Sequence, residues 1–498
     1  MLFENRMFIG NAKALILLWF CCSKQILSWS PVPLRTSELL VYRFKQGIVN
    51  EQARNCLNYK ISQVTFQLSA TSVNSRQEVS SPISFNAIKG VNALVVGGSG
   101  RVGGSVVVQL VKRGAAKVTV GGTSRDSFEK SLKRWIALWP DIFPTTTILD
   151  FVALNREDSS TVAQVLQSPI KYDIVIHTAG PFQGKVKTTN GVLEACVQQN
   201  VPYIDVCDDY CTAMAAKSNY ANKTNVPCIV STGCWPGVSS LMAKQLVDLH
   251  LKQNQNNSPS DLTMKYSFFT AGSGGAGSTL LVATFLILSE KALAIRNGRR
   301  IEIPAMQEYD QVNFGTVVGD KDVAHLNLLE TASIFDNLGV ANIETKFGTA
   351  PSFWNTLLGL MAKLPSDLLA NEPLMTKLAL FSLPLVRIVD YFAGATNAMR
   401  CDVYVTDNPE INSMALYAHE NLEPCVGECV VAFCAALLAG RVKPGIWFPE
   451  EAIEAGEAAA AVLKLSSVGA HTTQASGSSP CVSTASVWGI QSAYSTAN

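Results

Sequence analysis

Residues 93–104 read ALVVGGSGRVGG, and this stretch constrains the fold more than any other. Ala93–Val96 predict a buried strand that ends in two β-branched valines. Gly98-Ser99-Gly100-Arg101-Val102-Gly103 then satisfies G-x-G-x-x-G, and the apolar run Val106–Val111 predicts the helix that follows. Strand, glycine turn and helix in this order make a crossover that packs back onto a parallel sheet. Gly98 permits the tight turn, Gly100 lets a diphosphate approach the backbone, and Gly103 lets the helix lie close to the strand. Free N–H groups and the positive dipole end of the helix complement an anion. The expectation is a dinucleotide held on Gly98, Ser99, Gly100, Arg101, Val102 and Gly103.

The second strand, Lys117–Val120, runs into Gly121-Gly122-Thr123-Ser124-Arg125. An NAD site usually places an acid near this tip to bind the ribose 2′-hydroxyl. Here Thr123, Ser124 and Arg125 offer two hydroxyls and a guanidinium, which suit a 2′-phosphate. NADP is therefore the expected cofactor, with NAD as the alternative. Arg101 is a second candidate for the phosphate. Arg125 also fits the start of a solvated helix face shared with Lys130, Lys133 and Arg134.

Strand and helix signals alternate from Val91 to about Thr232, which predicts an α/β fold with a Rossmann-type doubly wound parallel sheet. Ligands of such sheets lie at the carboxyl ends of the strands. Those ends are the glycine turn, the Gly121–Arg125 tip, Thr178-Ala179-Gly180-Pro181-Phe182 after the strand YDIVIH, and Cys207-Asp208-Asp209 after YIDV. Thr178, Ala179, Gly180 and Pro181 are accordingly assigned to the cofactor. After the polar loop Gln253–Ser260 the texture changes to a second, α+β domain. The expected boundaries are 90–262 for the first domain, 263–410 for the second, 411–465 for a C-terminal return segment and 466–498 for a disordered tail. The apolar run Leu374–Val389 is interrupted by Lys377, Pro384 and Arg387, so no integral membrane segment is expected there.

The 498 residues carry a net charge of +1 and no basic patch with interleaved aromatics, which argues against a nucleic-acid partner. Thirteen cysteines without C-x-x-C pairs point to reduced thiols, and the five histidines form no H-x-x-x-H pair, so no metal site is expected. Residues 1–89 hold ten Lys or Arg, four Glu and no Asp. Ala14–Cys22 is an apolar core of signal-peptide length, followed by a basic, Ser-rich stretch that resembles a transit peptide. These residues are read as a targeting extension outside the fold. A plastid address is the first expectation, with mitochondrial or cytoplasmic location as alternatives.

The motifs together resemble the saccharopine dehydrogenase-like oxidoreductases, especially the plastid-type members of plants and algae. The resemblance rests on LVVGGSGRVGG (94–104), HTAGPF (177–182), YIDVCDD (203–209), GCWPGVS (233–239) and YSFFTAGSGGAG (266–277). It continues through FGTAPSFW (347–354), MRCDV (399–403) and PGIWFPE (444–450), so that it spans about Val91–Ala460. It implies a Rossmann domain, a second α+β domain that also mediates dimerisation, and a C-terminal helix that returns toward the first domain. It further implies NAD(P) binding, redox chemistry at a carbon–nitrogen bond and a homodimer. One departure matters. Saccharopine reductases carry a G-x-D-P-G-x-D-H type segment, and here Trp235 and Ser239 stand where that pattern has acids. An indole neither accepts a proton nor pairs with an amino group, which argues against saccharopine itself as the substrate.

Hydride transfer needs a group that handles the proton beside the substrate carbon. Asp208 is the first choice and His177 the second, with Asp209 and Cys207 beside them at the same strand ends. Paired acids at a strand end also cap helices, His177 also fits a packed strand position, and Cys207 an inert buried thiol. Trp235, Gly274 and Arg400 are the substrate candidates. Gly274 lies in the second glycine turn, Gly272–Gly277, which fits either a carboxylate-binding helix start or a packing corner. Arg400, in an apolar strand, needs an anion, with Asp402 two residues on as the internal alternative. The expected activity is an NADP-dependent oxidoreductase for a small amino or imino metabolite. The alternative is an NADP(H)-binding redox sensor or scaffold without turnover.

Overall fold

The computed structural model describes residues 82–143, 148–183, 190–220, 223–253, 255–273, 278–466 and 487–493. The first part of the chain runs β1 (Asn92–Val96), α1 (Arg101–Lys112), β2 (Lys117–Gly122), α2 (Arg125–Leu138), β3 (Leu149–Ala153), α3 (Ser159–Leu166), β4 (Ile174–His177), α4 (Gly191–Gln199), β5 (Tyr203–Asp205), α5 (Tyr210–Tyr220), β6 (Pro227–Ile229) and α6 (Val238–Gln253). Strands β1 and β4 are buried along almost their whole length, as expected for a parallel sheet covered on both faces. The sheet order is β3-β2-β1-β4-β5-β6, all parallel. The chain leaves β1 in one direction and returns to β4 on its other side. The order therefore reverses between β1 and β4, and the crevice of a doubly wound sheet opens at their carboxyl ends.

The second sheet is built from β7 (Leu262–Ala271), β8 (Ala292–Arg296), β9 (Arg299–Ile303), β10 (Asp310–Asn313), β11 (Asp320–His325), β12 (Asn342–Ala350), β13 (Asn397–Val405) and β14 (Asn408–His419). Helices α7 (Ser278–Ile287), α8 (Leu329–Leu338) and α9 (Glu372–Ala393) accompany it. Its main path runs β10-β11-β12-β7-β13-β14, with β7 and β12 parallel and the other pairs antiparallel. Among the described residues no helix is long and apolar enough to cross a membrane.

Three later elements return to the first part of the fold: α10 (Leu422–Leu438), β15 (Gly445–Trp447) and α11 (Glu457–Ser466). Helix α10 lies on α1, and a Cβ on its Gly427 would meet Ser105 Oγ at 2.2 Å, so the two backbones approach as only glycine allows. Strand β15 pairs with β6 in parallel and becomes the outer strand of the first sheet. One continuous core joins α1, α6, α10 and the inner residues of β7 and β13.

A correction concerns the tail. Disorder was expected over 466–498, but Ser466 closes α11 and Val487–Ala493 form β16, antiparallel to β14. The small polar residues of this tail obscure a short run, VWGI, whose β-branched and aromatic side chains favour a strand. The expected extension 1–89 overlaps the described residues only from 82 onward.

Candidate functional site

The glycine turn caps α1. Gly97 takes a left-handed φ of +81°, and the first helical hydrogen bond at this end is Gly104 N–H to Gly100 O. The N–H groups of Arg101, Val102 and Gly103 precede it and have no acceptor within the helix. A Cβ on Gly103 would stand 2.4 Å from both Gly97 O and Thr178 Oγ1, so the helix start, the turn and the β4 loop touch through this one hydrogen-sized gap. Ser99 Oγ is buried at the turn with no partner among the described residues. Its backbone oxygen accepts from Ser131 Oγ of α2 at 2.8 Å, which steadies the turn from the far side.

The β4 loop lies directly over that turn. Thr178 donates to Val96 O through both its N–H (2.8 Å) and its Oγ1 (2.9 Å). Arg156 holds the loop by donating to the carbonyls of Ala179 and Pro181. Nothing in the sequence singled out Arg156, because a lone arginine in a polar loop carries no pattern.

At the β2 tip, Thr123, Ser124 and Arg125 are exposed. Ser124 caps α2 by accepting from Ser127 N–H at 3.2 Å. Arg125 rests over the Phe151 ring, 5.1 Å from its centroid, and makes no ion pair among the described residues. Arg101 differs. It reaches Glu423, at the start of α10, at 2.8 Å, and Arg134 reaches the other oxygen of the same carboxylate at 2.7 Å. Arg101 therefore clamps the C-terminal helix, and Arg125 is the arginine with a free charge at the tip.

The acids at the β5 end divide by role. Asp209 Oδ1 accepts from Thr212 N–H at 2.6 Å and caps α5. Asp208 is half-buried. Loss of water pushes its carboxyl up to about 6, against a lowering hydrogen bond from Gln183. Two further acids escaped the sequence reading. Asp205 accepts from Ser231 N–H (2.7 Å), Cys207 N–H (3.0 Å) and Tyr203 Oη (2.9 Å), and burial lifts it to about 6. Glu330, on α8, is 1% exposed and accepts from Ser239 Oγ at 2.7 Å. Burial pushes it to about 7, with Glu450 and Asp208 adding repulsion. An acid inside an apolar strand (YIDV) or helix (LLETASIF) was the available signal for both.

His177 is buried. Its Nδ1 lies 3.1 Å from Tyr203 Oη, and its ring packs edge-on to Phe182 with centroids 5.2 Å apart. Burial, with the nearby Arg156 charge, lowers it to about 3. An imidazole held neutral in this way takes no proton near neutral pH, so the packed-strand role fits it. Burial raises the Cys207 thiol well above its ordinary value, which matches an inert thiol.

Trp235 is half-buried and packs edge-on to Phe268, 5.7 Å between centroids. Arg400 is fully engaged. Its Nε and Nη2 grip Asp402 at 2.7 and 2.8 Å, and its Nη1 donates to Asn313 O at 2.8 Å. The anion expected for Arg400 is thus supplied by its own strand. Gly274 lies outside the described residues. The described start of its turn already holds a carboxylate, because Asp390 accepts from Ser273 N–H (2.7 Å) and Oγ (2.5 Å). The packing-corner role fits that arrangement.

Residues 93–226 match the family model described as saccharopine dehydrogenase NADP binding domain. Among solved structures, apo saccharopine dehydrogenase (L-Glu forming) from Saccharomyces cerevisiae is similar at 12% identity and TM-score 0.50, over 75% of this chain and 96% of that one. Pen from Bacillus thuringiensis aligns at 16% identity and TM-score 0.23, over 34% of this chain and 58% of that one. The MalC reductase/Diels-Alderase from Malbranchea aurantiaca aligns at 12% and 0.24, over 29% and 74%. No curated protein sequence matches. The residues present fit the nucleotide that the family model names: the first-turn N–H groups and the orphaned Ser99 Oγ would receive a diphosphate, and Arg125 would receive a 2′-phosphate. Residues 93–226 thus match a saccharopine dehydrogenase NADP binding domain, within a chain whose fold is similar to that of a saccharopine dehydrogenase.

Proposed function

We propose that this chain is an NADP-dependent oxidoreductase acting at a carbon–nitrogen bond of a small amino or imino metabolite other than saccharopine. The observation that carries the cofactor choice is the β2 tip, where an exposed, unpaired Arg125 stands beside two hydroxyls and no acid. NADP, when bound, supplies or accepts the hydride. The chain's own contribution is electrostatic. Asp208, with its carboxyl near 6, is charged at neutral pH and suits an ammonium or iminium group, and it can take up or release a proton within one or two pH units. Trp235, packed edge-on to Phe268, offers an indole where saccharopine reductases carry an acid, which removes a polar contact to substrate.

The test is an NADPH and NADH titration followed by a screen of imines and keto-acid/amine pairs, read by nicotinamide absorbance. Tight NADPH binding with turnover supports the enzyme. Tight binding with no turnover on any pair favours the redox-sensor alternative, and no binding of either nucleotide sinks both.

Two finer expectations belong to the same reading. The exposed apolar stripe of α9, Leu380, Phe381, Ile388, Tyr391 and Phe392, supports a homodimer through the second domain, which sedimentation checks. The basic, Ser-rich start supports a plastid protein, which import into isolated plastids checks.

A further inference from the structure

Cys425 and Cys429 stand four residues apart on α10 and so share one helix face. Cys234 reaches them from the turn before α6, 191 positions earlier in the chain. Cys234 and Cys425 have their sulfurs 3.3 Å apart, and all three sulfurs lie within 4.8 Å of one another. Each residue is at most 1% exposed. A fourth donor completes the group: Tyr417 Oη, on β14, lies 3.3 Å from Cys425 Sγ and 4.0 Å from Cys429 Sγ. Its proton goes to Ser466 O at 3.0 Å, which leaves oxygen lone pairs to face the sulfurs.

We propose that Cys234, Cys425 and Cys429 form a structural site for a thiophilic d10 cation, with Zn2+ as the ion it fits. Three thiolates bound at about 2.3 Å to one tetrahedral ion have sulfurs about 3.8 Å apart, inside the range observed here. A disulfide needs sulfurs at about 2 Å and uses only two of the three. Thiols are weak donors and weak acceptors, so three converging S–H groups satisfy one another poorly. Metal binding resolves this: three S–H bonds break, three S–Zn bonds form, and three protons leave to solvent without any redox change. Four donors from three separate segments and no exposed sulfur make a closed site, which is the structural and not the catalytic type. The ion ties the Gly233–Gly237 turn, which carries Trp235 and leads to Ser239 and Glu330, onto the C-terminal helix.

The full chain, purified and then exposed to zinc chloride and desalted, is expected to hold one zinc per chain by elemental analysis. Cobalt(II) in its place is expected to show thiolate charge-transfer and tetrahedral d–d absorption. Cys429→Ser and Cys234→Ser are expected to lose the metal, and Cys434→Ser, a buried thiol one helix turn beyond, to keep it. Chelation of the wild-type protein is expected to lower its melting temperature, a readout that needs no variant to fold. A folded wild-type chain that retains no zinc and gives no cobalt spectrum overturns the proposal. So does peptide mapping that finds Cys234 joined to Cys425 as a disulfide.

Discussion

Replacing Glu330 with Gln isolates the cost of an acid buried where α8 meets Ser239 of α6. The carboxyl is 1% exposed, and its neutral partner Ser239 Oγ is equally served by an amide oxygen. Burial moves it from an ordinary 4.5 to about 7. At about 1.4 kcal/mol per pH unit, that displacement costs the ionised folded protein about 3 kcal/mol. The unfolded chain ionises near 4.5 and the folded chain near 7, so the folded state binds the extra proton between them. Stability from this group is therefore full below pH 4.5, falls as pH rises, and is lost above about 7. The Gln variant carries no charge at any pH. Urea unfolding from pH 4.5 to 8.5 is expected to show the variant gaining on wild type as pH rises, by about 3 kcal/mol across the window. A difference that stays constant with pH refutes the argument. So does a variant less stable than wild type at pH 8.

Arg125→Ala is expected to weaken NADPH binding about 10- to 100-fold, the worth of one charge-assisted phosphate contact, and to leave NADH binding nearly unchanged; fluorescence titration decides, and equal losses refute the assignment. Asp208→Asn is expected to cut turnover by about 10²–10⁴. Wild-type kcat/KM should fall as pH drops through about 6, where the carboxylate is neutralised, and the variant should lose that inflection; a shared profile removes Asp208 from the chemistry. Gly427→Ala places a methyl 2.2 Å from Ser105 Oγ and 2.8 Å from its carbonyl carbon. A loss of about 1–3 kcal/mol in urea unfolding is expected, and unchanged stability would mean the helices separate freely.

The parallel sheet was legible because each of its segments announces itself locally. ALVV, YDIVIH and the glycine turn carry burial, period and turn chemistry within a few residues. The acids at the site were less legible. Asp208 sits at a strand tip, where pattern reasoning looks, whereas Asp205 and Glu330 acquire their character from neighbours such as Ser231 and Ser239 that lie far along the chain. Arg101 and Arg125 show the same limit. Both are arginines near the turn, and only the arrival of Glu423, 322 positions later, decides that Arg101 is taken. The cysteine triad had no sequence signature, because its third member, Cys234, lies 191 positions before Cys425 in the chain.

The last strand of the first sheet, Gly445–Trp447, and the helix that covers α1 are both made late in translation. A ribosome that has delivered the chain up to α6 has released a nucleotide-binding half with its valine-rich helix 101–112 still wet on one side. That half finishes only when the distal segment threads back across it. Excising the N-terminal half as a stand-alone cofactor module would therefore remove its own outer wall, and permuting the chain to start at Leu422 would instead bring cover and sheet together from birth.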